Sequence, residues 1–466
     1  MPLTRFIVAV LAVFAVVGCI STTPSASPTS PPAPASAAQT AALPTPATTG
    51  LGSPTATSTA TATASQNTAP PSVGPTSTPS ATPSQTPSTT PTATSGSSGQ
   101  SNGLIVNWKT VDNPGLGVVY GFDGLASAGG TMVAIGEAGQ DLTTGVWSST
   151  DGRTWSAADF PDAAASSVGL SAVAAAGPGF VIVGQDFTTS AGLVYLSADG
   201  HSWTRIDSDV LAGESLTWVG GINGAVVAFS DDNHAFTSTD GQTWQAASDP
   251  SAADVANGLM VLKGDGTALW AVRNNTDQSK AGQLEVWRST DAATWSQVAS
   301  LDGSAGAMQA WVASGPAGVV VIANTYRHNT PGWPTWSSVD GTNWQAASHD
   351  PSNITDVIST AAGFVAVGHY NTVGGCAIDE TNDVGVTWSS IDGIQWRQMP
   401  EKGWKAREIQ VLAQNGTDLV GLGVDFKVYF DNGDSGIQWV FPLPIPPEDQ
   451  APSPSPTPAP TPLQGC

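Results

Sequence analysis

A repeat of about 49 residues, an aromatic-flanked Asp-Gly turn in each copy and almost no helical hydrophobic period predict an all-β fold. The architecture they specify is a seven-bladed β-propeller of four-stranded antiparallel blades, with a disordered N-terminal stalk and C-terminal tail. The segment Ser149-Thr150-Asp151-Gly152-Arg153-Thr154-Trp155 returns at 197–203, 238–244, 289–295, 338–344 and 390–396. A degraded seventh copy runs between Tyr429 and Trp439, and Ala292 replaces the glycine in the fourth. Trp-to-Trp steps of 48, 41, 51, 49, 52 and 43 residues are too regular for chance.

In chain order, residues 1–18 read as an export signal: Arg5 supplies the positive start, and Phe6 to Val17 is an apolar run too short to span a bilayer as a mature helix. The run ends in Val16-Val17-Gly18-Cys19, which resembles a bacterial lipobox. That resemblance implies lipidation of Cys19 and a place on the extracytoplasmic face of the cell membrane, held by the lipid alone. Residues 19–103 form a Ser/Thr/Pro linker: positions 20–103 hold no Asp, Glu, Lys or Arg, and such a tract buries too little apolar surface to offset its ordering entropy. Its composition suits a spacer or a glycosylated stalk equally. Residues 104–445 carry the repeats, and 446–466 form a Pro-rich tail. Cys376 and Cys466 are the two remaining cysteines, and export permits a bond between them without requiring it.

Within each repeat, the Asp-Gly pair supplies a turn with positive φ, the Asp carboxylate can accept N–H bonds inside it, and the Trp offers a packing face on the return arm. An aromatic sits two residues before each Ser, at Trp147, Tyr195, Phe236, Trp287, Trp336 and Trp388, and Tyr429 opens the degraded seventh copy. Upstream hairpins turn at Gly129-Gly130, Gly177-Pro178-Gly179 and their counterparts, so every unit reads as four short strands. Ser-x-Asp-Gly-x-x-Trp resembles the Asp-box, or BNR, repeat of sialidase-like propellers, lacking one residue of the usual spacing. The resemblance implies structural roles for Asp151, Trp155, Asp199, Trp203, Asp240, Trp244, Asp291, Trp295, Asp340, Trp344, Asp392 and Trp396. Asn107-Trp108-Lys109 looks like an isolated outer strand, which either displaces the last strand of the ring or packs outside it.

Alternating strands put all Asp-Gly turns on one face and the irregular loops 184–192, 273–283, 323–334 and 368–385 on the other. The second face is where a ligand is expected, at Tyr326, Arg327, His328, Trp333, His369, Tyr370 and Trp404. Two loop Trp beside polar groups suit sugar stacking or protein contact. A net charge of −23, from 37 acidic and 14 basic residues, excludes nucleic acid as a partner. No Arg-Ile-Pro motif, nucleophile motif or His-Glu-x-x-His occurs, so no catalytic residue is assigned. No cofactor is expected beyond a structural Ca²⁺, for which 379–383 and 431–434 are oxygen-rich. The expectation is a monomeric, non-catalytic binding or scaffold module for an unknown protein or glycan. A glycan-active hydrolase or an assembly factor for a membrane complex are the alternatives.

Overall fold

The structure is a computed structural model that describes residues 106–442, leaving aside 112–113, 140, 164, 178, 278–279, 281–282, 303, 305, 328–329, 372–382, 400–406, 417 and 426–435. The expected stalk and tail, Cys19, Cys376, Cys466, His328, Trp404, Tyr429 and both candidate Ca²⁺ segments (only Asp383, in a strand, excepted) lie outside the described residues.

The described chain is all β apart from a 3-10 turn (Asp209–Leu211) and one short helix, α1 (Pro250–Ala256). After β1 (Lys109–Val111), blade 1 comprises β2 (Val119–Ala128), β3 (Thr131–Ala138), β4 (Thr143–Ser149) and β5 (Ser156–Ala157). Blade 2 comprises β6 (Val168–Ala176), β7 (Gly179–Asp186), β8 (Ala191–Ser197) and β9 (Thr204–Ile206). Blade 3 follows with β10 (Leu216–Ile222), β11 (Ala225–Ser230), β12 (Ala235–Ser238) and β13 (Gln245–Ala246). Blade 4 has β14 (Leu259–Gly264), β15 (Leu269–Asn274), β16 (Leu284–Ser289) and β17 (Ser296–Leu301). Blade 5 has β18 (Ala307–Gly315), β19 (Gly318–Arg327), β21 (Thr335–Ser338) and β22 (Gln345–Ala346), with a fifth strand, β20 (Thr330–Gly332), on the end of β19. Blade 6 has β23 (Ile354–Thr360), β24 (Gly363–Asn371), β25 (Asp383–Ser390) and β26 (Arg397–Gln398).

The expectation of seven like blades is corrected here. Six blades, not seven, are complete units of consecutive chain. The remaining sheet has the order β1-β29-β28-β27, from β27 (Arg407–Asn415), β28 (Asp418–Asp425) and β29 (Gly436–Pro442). It is a composite of both ends of the domain: β1 runs antiparallel to β29, with Thr110 opposite Trp439. Trp439 therefore lies on a third strand, not on an outer return strand. The sequence signal was present, since ten residues separate Tyr429 from Trp439 where eight separate Trp147 from Trp155. Trp108 takes the place of the missing outer-strand Trp, and its Nε1 donates to Thr387 Oγ1 of blade 6 at 2.9 Å.

The inner strands β2, β6, β10, β14, β18, β23 and β27 touch in a closed ring. The core lies between neighbouring sheets. Second strands such as Met132-Val133-Ala134-Ile135 and Phe180-Val181-Ile182-Val183 are continuously apolar and buried, because sheets cover both their faces. The aromatics Trp147, Tyr195, Phe236, Trp287, Trp336 and Trp388 fill these layers, each burial contributing about 1.5–3 kcal/mol.

Each inner strand carries a β-bulge near its start, at Asp123 in β2 and at Ser171, Thr217, Met260, Met308, Thr355 and Gln410 in the others. The bulge brings a carbonyl so close to the second strand that a Cβ on Gly136, Gly184, Gly368 or Gly423 would strike it, which is why glycine stands there. The bulges also stitch the ring. Trp311 Nε1 donates to Thr355 O at 2.8 Å, Thr355 Oγ1 to Ile409 O at 2.7 Å, and Phe122 N to Gln410 Oε1 at 2.9 Å.

Candidate functional site

The first face carries the Asp-Gly turns, and their carboxylates are spent locally. Asp199 Oδ1 accepts from Ser197 Oγ, His201 N and Ser202 N at 3.0, 2.8 and 2.8 Å. The same pattern holds at Asp151, Asp240, Asp291, Asp340 and Asp392. The turn glycine has φ near +70° at Gly152, Gly241 and Gly393, and Ala292 adopts +62° in the glycine's place. Trp203, Trp244 and Trp396 donate Nε1 to the carbonyl of that glycine at 2.9–3.1 Å. Trp155 and Trp295 are buried with the turn, and Trp344 is partly buried.

The second face divides the predicted residues. Trp333 is half-buried and stacks on Trp311, with ring centroids 5.6 Å apart and planes 28° from parallel, so it covers the blade 5–6 core rather than standing free. Tyr326 and Arg327 lie where β19 pairs with β20. His369 and Tyr370 sit at the second-face end of β24. Arg273, expected in a loop but lying near the end of β15 opposite Glu285, is locked into a structural network. Its guanidinium pairs with buried Glu285 at 2.7 Å, lies 5.4 Å over Trp287, and donates to Asp254 O and Asn257 O at the C-terminal end of α1.

Around His369 the structure assembles a polar chain that sequence reasoning missed. His369 of blade 6 pairs with the buried carboxylate of Glu408 on β27. Gln410 Nε2 donates to Glu408 Oε1 at 2.6 Å, and Gln410 Oε1 takes the Phe122 N–H of blade 1. The next residue, Asp123, is the β2 bulge, exposed on the free inner edge of the ring. Protein surrounds this water-accessible carboxyl, and that confinement, with Glu137 of β3 beside it, pushes its pKa up to about 7. Arg407 and buried Asp425, 2.7 Å apart, flank the chain. Alternation along β2 conceals Asp123, since a bulge re-aims a side chain without a compositional mark. Among the described residues no group of three or more His, Cys, Asp or Glu is placed to hold a metal ion.

No family model and no curated protein matches the chain. Among solved structures it is similar to YCF48 from Cyanidioschyzon merolae, at 15% identity over 72% of this chain and 98% of that one, with a TM-score of 0.45. A structure of YCF48 bound to D1 peptide gives 15% identity, 72% and 99% coverage and a TM-score of 0.47. The polysaccharide lyase Uly1 gives 8%, 73%, 100% and 0.46. These likenesses concern fold alone, and the propeller assignment rests on the sheet order described above.

Proposed function

We propose that the chain is an extracytoplasmic binding or scaffold module of the Asp-box type, lipid-anchored to a bacterial cell membrane through Cys19, which presents its loop-rich face to a protein or glycan. The observation that carries this reading is the contrast between the faces. First-face turn carboxylates are consumed by their own loops, whereas the second face gathers His369, Glu408, Gln410 and Asp123 from three sheets around the inner edge of the ring. The test uses the mature full chain on a glycan array and in cross-linking pull-downs, as wild type and as Asp123→Asn and His369→Ala. The reading expects a specific partner whose capture drops at least tenfold in one of these variants. Capture equal in all three would refute it.

A second reading is favoured by Asp123. Asp123 and Glu137, on paired strands of blade 1, offer the two carboxyls that glycoside hydrolysis requires. Release of new reducing ends from a glycan, lost in Asp123→Asn, would select this reading over binding.

A further inference from the structure

Blade 4 breaks the repeat at one place that the fold does not demand. Where the second strand faces the third, just before the Asp-Gly turn, the pairs are Val133 with Ser148, Val181 with Leu196, Val227 with Thr237, Val320 with Ser337 and Val365 with Ser389. In blade 4 the pair is Trp270 with Arg288. The tip of Trp270 packs against Gly341 in the turn of blade 5, and the Arg288 guanidinium lies 5.6 Å over its ring. Both residues line an open cleft of about 320 Å³ on the first face, bordered also by Asp265, Gly318, Asp340 and Thr342.

The donors and acceptors in this cleft are unequally used. Asp265 accepts from Thr267 N, Thr267 Oγ1, Ala268 N and Trp270 Nε1 at 2.7–3.2 Å. Asp340 accepts from Ser338, Thr342 N and Asn343 at 2.6–3.1 Å. Arg288 pairs with neither, nor with any other carboxylate among the described residues. It is a half-buried planar fork of five N–H donors held in place by Trp270, with no acceptor spent on it.

We propose that this cleft binds a small carboxylate ligand through Arg288. A planar carboxylate matches the guanidinium fork with two parallel hydrogen bonds. Its single charge suits a site flanked by Asp265 and Asp340, which disfavour a dianionic phosphate or sulfate. The chain's net charge of −23 opposes an anion at long range, but that field is screened within about 8–10 Å while the fork acts at contact. The volume sits at the lower end for ligand sites and fits a single small ring. The site is on the opposite face from the His369 cluster and does not depend on the function proposed there.

The probe is sodium glucuronate, titrated into the mature full chain by calorimetry, with glucose as the neutral isostere and sulfate as the dianion. Millimolar binding of glucuronate, at least tenfold tighter than glucose or sulfate, is expected. Arg288→Gln should weaken it at least tenfold, and Arg288→Lys by a smaller factor, because a point charge lacks the fork. The Arg288 Nε–Hε signal of the wild-type protein should shift with glucuronate, a readout that holds even if a variant folds poorly. No binding at 20 mM, equal binding of glucose or sulfate, unchanged binding by folded Arg288→Gln, or an unmoved Arg288 signal would each overturn the proposal.

Discussion

Asp199 shows how one residue type supports the turns. Backbone N–H groups of Ser202 and His201 hold its carboxyl below the usual carboxylate range, with Ser197 assisting. Asp291 is lowered to about 2: partial burial works against it, but Thr294, Ala293 and Ser289 outweigh that effect. A carboxylate with a depressed folded pKa contributes stability that is present above its unfolded value near 4 and is lost as pH falls through the folded value. The chain should therefore lose stability cooperatively between about pH 4 and 2, read by circular dichroism. Asp199→Ala should destabilise by about 1 kcal/mol, the cost typical of losing a capping side chain, and flatten that acid limb. Asp123 has the opposite sign. Its raised pKa means its ionisation opposes folding as pH rises from about 4 through 7. Asp123→Asn should then raise the melting temperature at pH 8 and leave it unchanged at pH 4; a lower value at pH 8 would contradict the raised pKa assigned to it. The turn aspartates were legible because their spacing to Gly and Trp repeats. Asp123 was not, since nothing local distinguishes a bulged residue from a surface one.

Among the elements, the composite sheet and the bulged inner strands carry the most weight. The ring is closed by three residues of β1 against β29, and by Arg153 of blade 1 reaching Asp418 of β28 at 2.5 Å. Deleting residues 104–111 strips the outer strand from the last sheet and should lower the melting temperature far more than removing the linker before it, by calorimetry. Buried Asp356 has a related role on β23. One oxygen accepts from Lys263 of blade 4 at 3.2 Å and from Val357 N, the other from Leu412 N of β27 at 2.8 Å. It thus links strands on either side of blade 5, and Asp356→Ala should cost about 2–4 kcal/mol by leaving buried donors unsatisfied. The strand count of each unit was visible in the turn signals, because Gly-rich turns and Asp-Gly turns alternate. The seventh unit was misassigned because the sequence Asp431-Asn432-Gly433-Asp434 ahead of Trp439 mimics the turn motif, and only pairing shows that β1 completes the sheet.

For the whole molecule, the composition meant something different from its first appearance. Of the 17 tryptophans, the described ones at hairpin positions are packing residues as expected, and Trp333, one of the two expected to stack on a ligand, rests on Trp311. The fold was legible because propeller blades repeat, and a repeat averages out local ambiguity. The site was not, because inner-strand residues from blades far apart in sequence meet only once the ring closes: Phe122 and Gln410, joined by a hydrogen bond, are 288 positions apart. The anchor belongs to this scale as well. Cys19→Ala should release the protein from the membrane fraction into the medium, and a variant that stays membrane-bound would remove the lipid from the account. The central claim is that the second face captures the partner while the first-face turn aspartates support the fold. Its most direct measurement is partner capture by the mature chain in three forms: wild type, His369→Ala with Asp123→Asn, and Asp199→Ala. The account predicts capture lost in the second-face variant and retained in the folded Asp199→Ala protein. Capture lost only when a first-face turn is altered would contradict it.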